Sequence, residues 1–237
     1  PATLSLITGQ AAMFMAPGAL PDVMDVCISS QQVYYGRDWL RMLLSSFYHG
    51  SDMHLYYNMV SLLYKGSWLE KKLGTPYFIY LTTVFVALIN ALYVALGLFF
   101  SWLFNNQGYA QSCAVGFSGV LFAMKVLTTH YAPRGPQLLF GVLQVPFRYI
   151  YWVELLMIQI LVPNASFVGH LAGILAGVMY IWGPLQPIMH IFMQPKESSV
   201  DPPSGTTSPV MDASTATNNV ANRHQSPAAR SQSPAAR

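Results

Sequence analysis

The uncharged stretch 77–104 decides which solvent this chain folds in. It opens Tyr-Phe-Ile-Tyr-Leu, closes Leu-Phe-Phe-Ser-Trp-Leu-Phe, and holds no Asp, Glu, Lys, Arg or His between. At about 1.5 Å per residue, roughly 20 such residues cross a hydrocarbon core of about 30 Å, so the stretch exceeds a bilayer. Five further apolar segments accompany it, at 3–20, 54–68, 116–131, 149–162 and 167–183. Apolar residues make up 53% of the chain and charged ones 9%, against roughly 25% charged in soluble domains, which leaves too little polar surface for a globule in water. The expected fold class is an all-α membrane protein, a bundle of six transmembrane helices over residues 1–183. The second, fourth and fifth segments are short for a bilayer, so protein must surround them or they begin below the membrane surface. Short helices that end inside a membrane leave cavities that water can enter. Apolar sequence already begins at Thr3, just after Pro1, so a longer precursor is expected.

Charge sets the expected orientation. With the first segment running outward, loops 21–53, 105–115 and 163–166 lie outside and carry only Arg37 and Arg41 beside Asp22, Asp25, Asp38 and Asp52. The other side receives Lys65, Lys71, Lys72, Arg134, Arg148, Lys196 and the three arginines of the tail, a positive-inside pattern. From Pro184 onward Ser, Thr, Pro, Asn and Ala dominate, so 184–237 is expected to be a disordered cytosolic tail. It ends in a repeat, Gln225-Ser-Pro-Ala-Ala-Arg and Gln232-Ser-Pro-Ala-Ala-Arg, read as low-complexity linker. A net charge of +3 with scattered basic residues excludes a nucleic-acid partner. Two cysteines, Cys27 and Cys113, are too few for a zinc site of cysteine type, and their pairing is left open. No metal or cofactor is expected.

Polar groups inside membrane segments are costly, so three clusters of them invite a functional reading. Gly116-Phe117-Ser118-Gly119 opens the short fourth segment. A lone serine there is most often a helix cap, and Val120 excludes the Gly-x-Ser-x-Gly elbow of soluble hydrolases. In the sixth segment His170, Gly173 and Gly177 fall at i, i+3 and i+7, so the glycines bare the backbone along the face that carries the imidazole. Gly119 and Ala123 supply a matching small step, and two helices this close could bring Ser118 Oγ within hydrogen-bond reach of His170. The third cluster, His49 to Asn58, places His54 and Asn58 at i and i+4 near the outer end of the second segment, where both can donate to an oxyanion. All three clusters fall at the outer leaflet. Lys125 lies seven residues below Ser118 and is expected to snorkel or to pair with Glu154.

Together, His49-x4-His54-x3-Asn58, Gly116-x-Ser118-Gly119 and His170-x2-Gly173-x3-Gly177, in that order, resemble the rhomboid family of intramembrane serine proteases. The longer strings Ser112–Leu127 and Gly169–Leu175 resemble a branch that resides in the endoplasmic reticulum. The resemblance implies Ser118 as nucleophile and His170 as general base, with no third carboxylate. It implies an oxyanion held by the Ser118 N–H, Asn58 and His54, and support of the outer loop by His49. Loop 21–53, with Trp39 and Arg41, resembles the family's membrane-dipping first loop. Phe122 stands where the family often has tyrosine, able to stack under His170 without a hydroxyl to offer. The implied substrates are membrane proteins with unstable transmembrane helices, cut in or near the membrane. The tail lacks the acidic-hydrophobic and arginine-rich helices with which the related branch holds ubiquitin and a cytosolic segregase, which puts coupling to ubiquitin-dependent extraction in doubt. The rival reading is an inactive rhomboid-like protein that binds clients without cutting them; the presence of both Ser118 and His170 weighs against it.

Overall fold

A computed structural model describes residues 1–16, 18–131, 136–139 and 143–196. Ten α-helices are found among them: α1 (Ala2–Phe14), α2 (Val23–Val26), α3 (Arg41–Leu44), α4 (Asp52–Leu73), α5 (Thr75–Leu103), α6 (Gly108–Gln111), α7 (Ser118–Tyr131), α8 (Ile150–Leu161), α9 (Phe167–Ile181) and α10 (Leu185–Phe192). The long ones, α1, α4, α5, α7, α8 and α9, fall on the six apolar segments of the sequence. By length and composition only α5 crosses a membrane unaided, and α9 with α10 passes as a pair bent by 68°. Of the rest, α1, α7, α8 and α9 are short, whereas α4, expected to be short from its apolar segment 54–68, runs 22 residues because the charged stretch through Lys72 continues the helix.

Local chemistry places the helix ends. Ser51 caps α4 by accepting from His54 N at 3.2 Å, Asp52 stands in the first turn, and Lys71 and Lys72 complement the dipole in the last. Ser166 caps α9 in the same way, accepting from Gly169 N at 3.1 Å. The first turn of α1 has no cap of its own and takes one from α4. The buried Glu70 carboxylate accepts from Ala2 N (2.6 Å), Thr3 N (2.8 Å) and Thr3 Oγ1 (2.7 Å), and from Thr75 Oγ1 (2.8 Å) at the start of α5. One carboxylate thus ties three helices at the lower end of the bundle, the end opposite Ser118.

The core runs between α4, α5, α7 and α9, with Leu62, Leu69, Phe78, Phe85, Phe117, Met124, Leu127 and Tyr180 shut from solvent. A second cluster joins α8 to α7 and α9 through Phe122, Val126, Ile150, Leu155 and Ile174. At the upper end, Ile28, Val33, Tyr93 and Val168 bind the long loop between α1 and α4 to α5 and α9. That loop is structured: α2, a π-helical turn at Gln31–Tyr35, α3 and a 3-10 turn at Ser45–Phe47 follow one another.

Two elements depart from expectation. A short antiparallel hairpin, β1 (Pro136–Leu139) with β2 (Leu143–Pro146), pairs Pro136 with Pro146 in what was read as an all-α chain. Two four-residue strands are too brief for an alternating pattern to stand out between apolar helices. The helical domain also continues past residue 183. In α10, inside the stretch expected to be disordered tail, Met189 is buried, and Lys196 N donates to Leu73 O at 3.0 Å. The apolar content of Leu185–Phe192 carries that packing despite the prolines that flank and interrupt it. The expectation for the Ser-Pro repeat lies outside the described residues.

Candidate active site

Ser118 is the first residue of α7, so its side chain stands at the mouth of a helix whose opening N–H groups have no partner within the helix. His170 lies one turn into α9, held by the Ser166 cap. His170 Nε2 and Ser118 Oγ are 2.9 Å apart, across 52 residues of sequence. The Phe122 ring stacks on the imidazole at 4.6 Å between centroids, with 32° between planes. His170 is buried, and its Nδ1 has no hydrogen-bond partner among the described residues, so no carboxylate completes a triad there.

The 2.9 Å approach depends on missing side chains. A Cβ on Gly173 would collide with the Gly119 carbonyl oxygen and stand 2.8 Å from its carbon. One on Gly177 would sit 2.8 Å from Val126 Cβ and 3.0 Å from Ala123 O, and one on Gly119 would sit 3.1 Å from Gly169 O. The helices α7 and α9 therefore touch backbone to backbone along the face that carries Ser118 and His170.

The segment leading into Ser118 bends at Gly116, where φ is +115°. A side chain at that position would be strained and would also meet the His54 ring, whose Cε1 and Nε2 lie 2.6 Å from the place of a Cβ. His54 is thereby set two residues ahead of the serine. Asn58 is buried one turn further along α4, its Nδ2 donating to His54 O at 2.7 Å while Oδ1 has no partner among the described residues. The amide's second N–H is uncommitted. His49 packs edge-on against His54 with centroids 5.0 Å apart. Burial, with His54 close by as a second cause, pushes the His49 imidazole down to about 4, so the ring is neutral at physiological pH.

Beside Ser118 is a cavity of about 30 Å³, lined on its polar side by Ser45, Ser46, Asn90 and Ser166 and walled by Ile28, Ile89 and Tyr93. That volume admits about one water, which needs two to four polar partners. Ser45 Oγ is buried without a partner among the described residues, and Asn90 Nδ2 donates to Ser46 Oγ at 2.8 Å. Sequence reasoning passed over this lining. Asn90 was findable as the one carboxamide in the uncharged stretch 77–104; the serines carried no signal. Cys27 and Cys113 are joined in a disulfide, which their spacing could not reveal. Further down, Glu154 of α8 lies 3.3 Å from Lys125 Nζ on α7 and 4.0 Å from Lys65 Nζ on α4. The pairing expected of Lys125 thus includes a second lysine.

This fold, with a serine and a histidine in contact between close-packed helices, is that of a membrane-embedded domain of known type. The Rhomboid domain model matches residues 36–187, and the chain belongs to the rhomboid family of membrane proteins. It is similar to Rhomboid-related protein 4 of Mus musculus, 44% identical over 189 residues that cover 80% of this chain and 59% of the relative. The Homo sapiens protein of the same name is 46% identical over 177 residues, 75% of this chain and 56% of the relative. Rhomboid-like protein 14, mitochondrial, of Arabidopsis thaliana is 38% identical over 186 residues, covering 76% and 55%. The chain therefore spans somewhat over half the length of the curated relatives it matches.

Proposed function

We propose that this protein is a serine endopeptidase that hydrolyses peptide bonds in or near the transmembrane segments of other membrane proteins. The observation that carries the reading is the 2.9 Å contact between Ser118 Oγ and His170 Nε2. With Nε2 unprotonated, His170 accepts the serine proton as Oγ attacks the scissile carbonyl, then returns it to the leaving amine. The tetrahedral oxyanion is held by the Ser118 N–H, the His54 ring and the free N–H of Asn58, donors whose value rises in a site shielded from bulk water. A water from the cavity beside Ser118 then attacks the acyl-enzyme, with His170 again as base. Phe122 fixes the ring plane. In this reading His49, Gly116, Gly119, Gly173 and Gly177 support the site, and no cofactor takes part.

Six spans follow if α1, α4, α7, α8 and α9 cross beside α5, each shielded by its neighbours. The basic residues then put the lower end and the tail in the cytosol. A disulfide at the upper end suits an oxidising compartment. Together with the similarity to Rhomboid-related protein 4, this favours the endoplasmic reticulum and a part in quality control of membrane proteins with unstable helices.

The test is a fluorophosphonate probe and a helix-destabilised transmembrane reporter, applied to purified wild type and Ser118→Ala. Wild type should label at Ser118 and cleave, and the variant should do neither while keeping its thermal transition. Cleavage by Ser118→Ala would remove the dyad assignment. A folded wild type that binds the reporter without labelling or cutting would make the protein a client-binding member of the family.

A further inference from the structure

Resting on the serine chemistry proposed above, we propose that the Cys27–Cys113 disulfide is a positioning device for the nucleophile, and that turnover requires the oxidised pair. Ser118 begins its helix, so nothing within α7 holds it from the upstream side. The lead-in, residues 112–117, has no helix or strand of its own and takes its shape from what it is tied to. Tyr93 OH donates to Ser112 O at 2.9 Å. Cys113 is bonded to Cys27. Ala114 and Ile28 exchange a pair of backbone hydrogen bonds of 2.8 and 2.9 Å, and Gly116 N donates to Ser45 O at 2.8 Å. Three of these four ties run to the loop between α1 and α4, and only the disulfide among them is covalent.

The loop end of the staple is itself anchored. Arg41 Nη1 donates to Cys27 O at 2.8 Å and to Met24 O at 3.1 Å, while its Nε pairs with Asp38 at 2.6 Å. A chain of fixed contacts thus runs from Asp38 through Arg41, Cys27 and Cys113 to a point five residues before the nucleophile. Without the covalent link, an isolated two-bond bridge and two single hydrogen bonds hold the lead-in, and water competes for all four. A displacement near 1 Å at the reacting atoms costs on the order of 10²-fold in rate.

The pair is also open to exchange. Cys27 is buried, but Cys113 is exposed at the surface of the upper end. A dithiol thiolate attacks Cys113 Sγ; Cys27 leaves as thiolate and takes a proton. The second thiol of the reagent then displaces Cys113, leaving two protein thiols and one oxidised, cyclic reagent. Newly made or reduced protein is therefore slow and gains its full rate on oxidation.

The experiment uses the whole chain in proteoliposomes, assayed for reporter cleavage and fluorophosphonate labelling while oxidised, after dithiothreitol, and after reoxidation by glutathione disulfide. Maleimide mass-tagging reports the state of the pair. Reduction should lower kcat about 10- to 100-fold with KM within about twofold, slow labelling in parallel, and be reversed by reoxidation. The double variant Cys27→Ala with Cys113→Val should match the reduced enzyme and ignore dithiothreitol. Reduced, tagged wild type that keeps its kcat overturns the inference. So does a loss of rate that merely follows unfolding at the assay temperature, or one confined to KM. If the double variant does not fold, the reduction arm on folded wild type decides by the same criteria. An oxidised wild type that neither labels nor cleaves overturns the protease reading itself, and this inference with it.

Discussion

The helices α8 and α9 flank α7 with similar length and apolarity, yet they are held to it by opposite means. In α9 the contact is a bare backbone: Gly173 and Gly177 lie against Gly119, Ala123 and Val126, and the face around them is buried. In α8 there is no glycine; only Ile150, Tyr151 and Leu155 are buried, while Leu156, Ile160 and Leu161 face outward. Its polar attachment is Glu154, set between Lys65 and Lys125 at the middle of α7, with Lys65 Nζ also donating to Ser61 Oγ at 2.6 Å. The difference teaches what each kind of contact can do. Close packing along a helix face fixes position to a fraction of an ångström, because any shift meets atoms. An ion cluster attaches a helix at one level and leaves its register above that level to weaker packing. The dyad lies on the first kind of interface.

The largest effect that would break this contrast is expected at Glu154. Replacing it with Gln leaves two lysines facing one another with their carboxylate gone. Removing one partner of a buried ionic group costs about 3–5 kcal/mol. The thermal midpoint in detergent should fall accordingly, while kcat, measured well below that midpoint, stays near wild type. A collapse of kcat with unchanged stability would show that α8 positions the dyad after all.

Gly173→Leu should do the reverse. The new side chain must part α7 from α9, and a shift near 1 Å at Ser118 and His170 lowers kcat on the order of 10²-fold. Leu175→Ala, at a half-buried position two residues on, should leave kcat close to wild type. Reporter kinetics beside thermal scans separate the two. Full activity in Gly173→Leu would end the claim that the glycine face sets the dyad distance.

His49 sharpens the comparison from the acid side, as a titratable ring buried with another histidine for company instead of a counter-charge. Its value in the folded protein is about 4, against an ordinary value of 6.5. The unfolded chain therefore binds the proton more readily. The contribution to stability is complete above pH 6.5 and is lost as pH falls through that value toward 4, amounting to about 1 kcal/mol by pH 5.5. A His49→Gln variant should show a flatter dependence of thermal midpoint on pH over that window. Parallel curves for the two proteins would mean that His49 takes up its proton as readily folded as unfolded, so that its burial shifts nothing.

The sequence alone determined the helices and their order, because segments such as 77–104 and 167–183 have no other way to satisfy backbone groups in an apolar solvent. It also pointed to the faces. The spacing of His170, Gly173 and Gly177 reports which side of α9 is bare, and an i, i+4 step puts His54 and Asn58 on one side of α4. Helical periodicity is a local property, and local properties are legible in a string of residues. What only the tertiary structure decided depends on atoms distant in the chain. The pairing of Cys27 with Cys113 across 86 residues is one case. The capping of α1 by Glu70, the serine-lined cavity beside Ser118 and the packing of α10 under the bundle are others. None of these leaves a period or a motif behind, because each is set by how the loops and helix ends meet once the helices have packed. The 2.9 Å between Ser118 and His170 belongs to both accounts. The glycines that permit it are written in the sequence, while the distance itself is set where the two backbones touch.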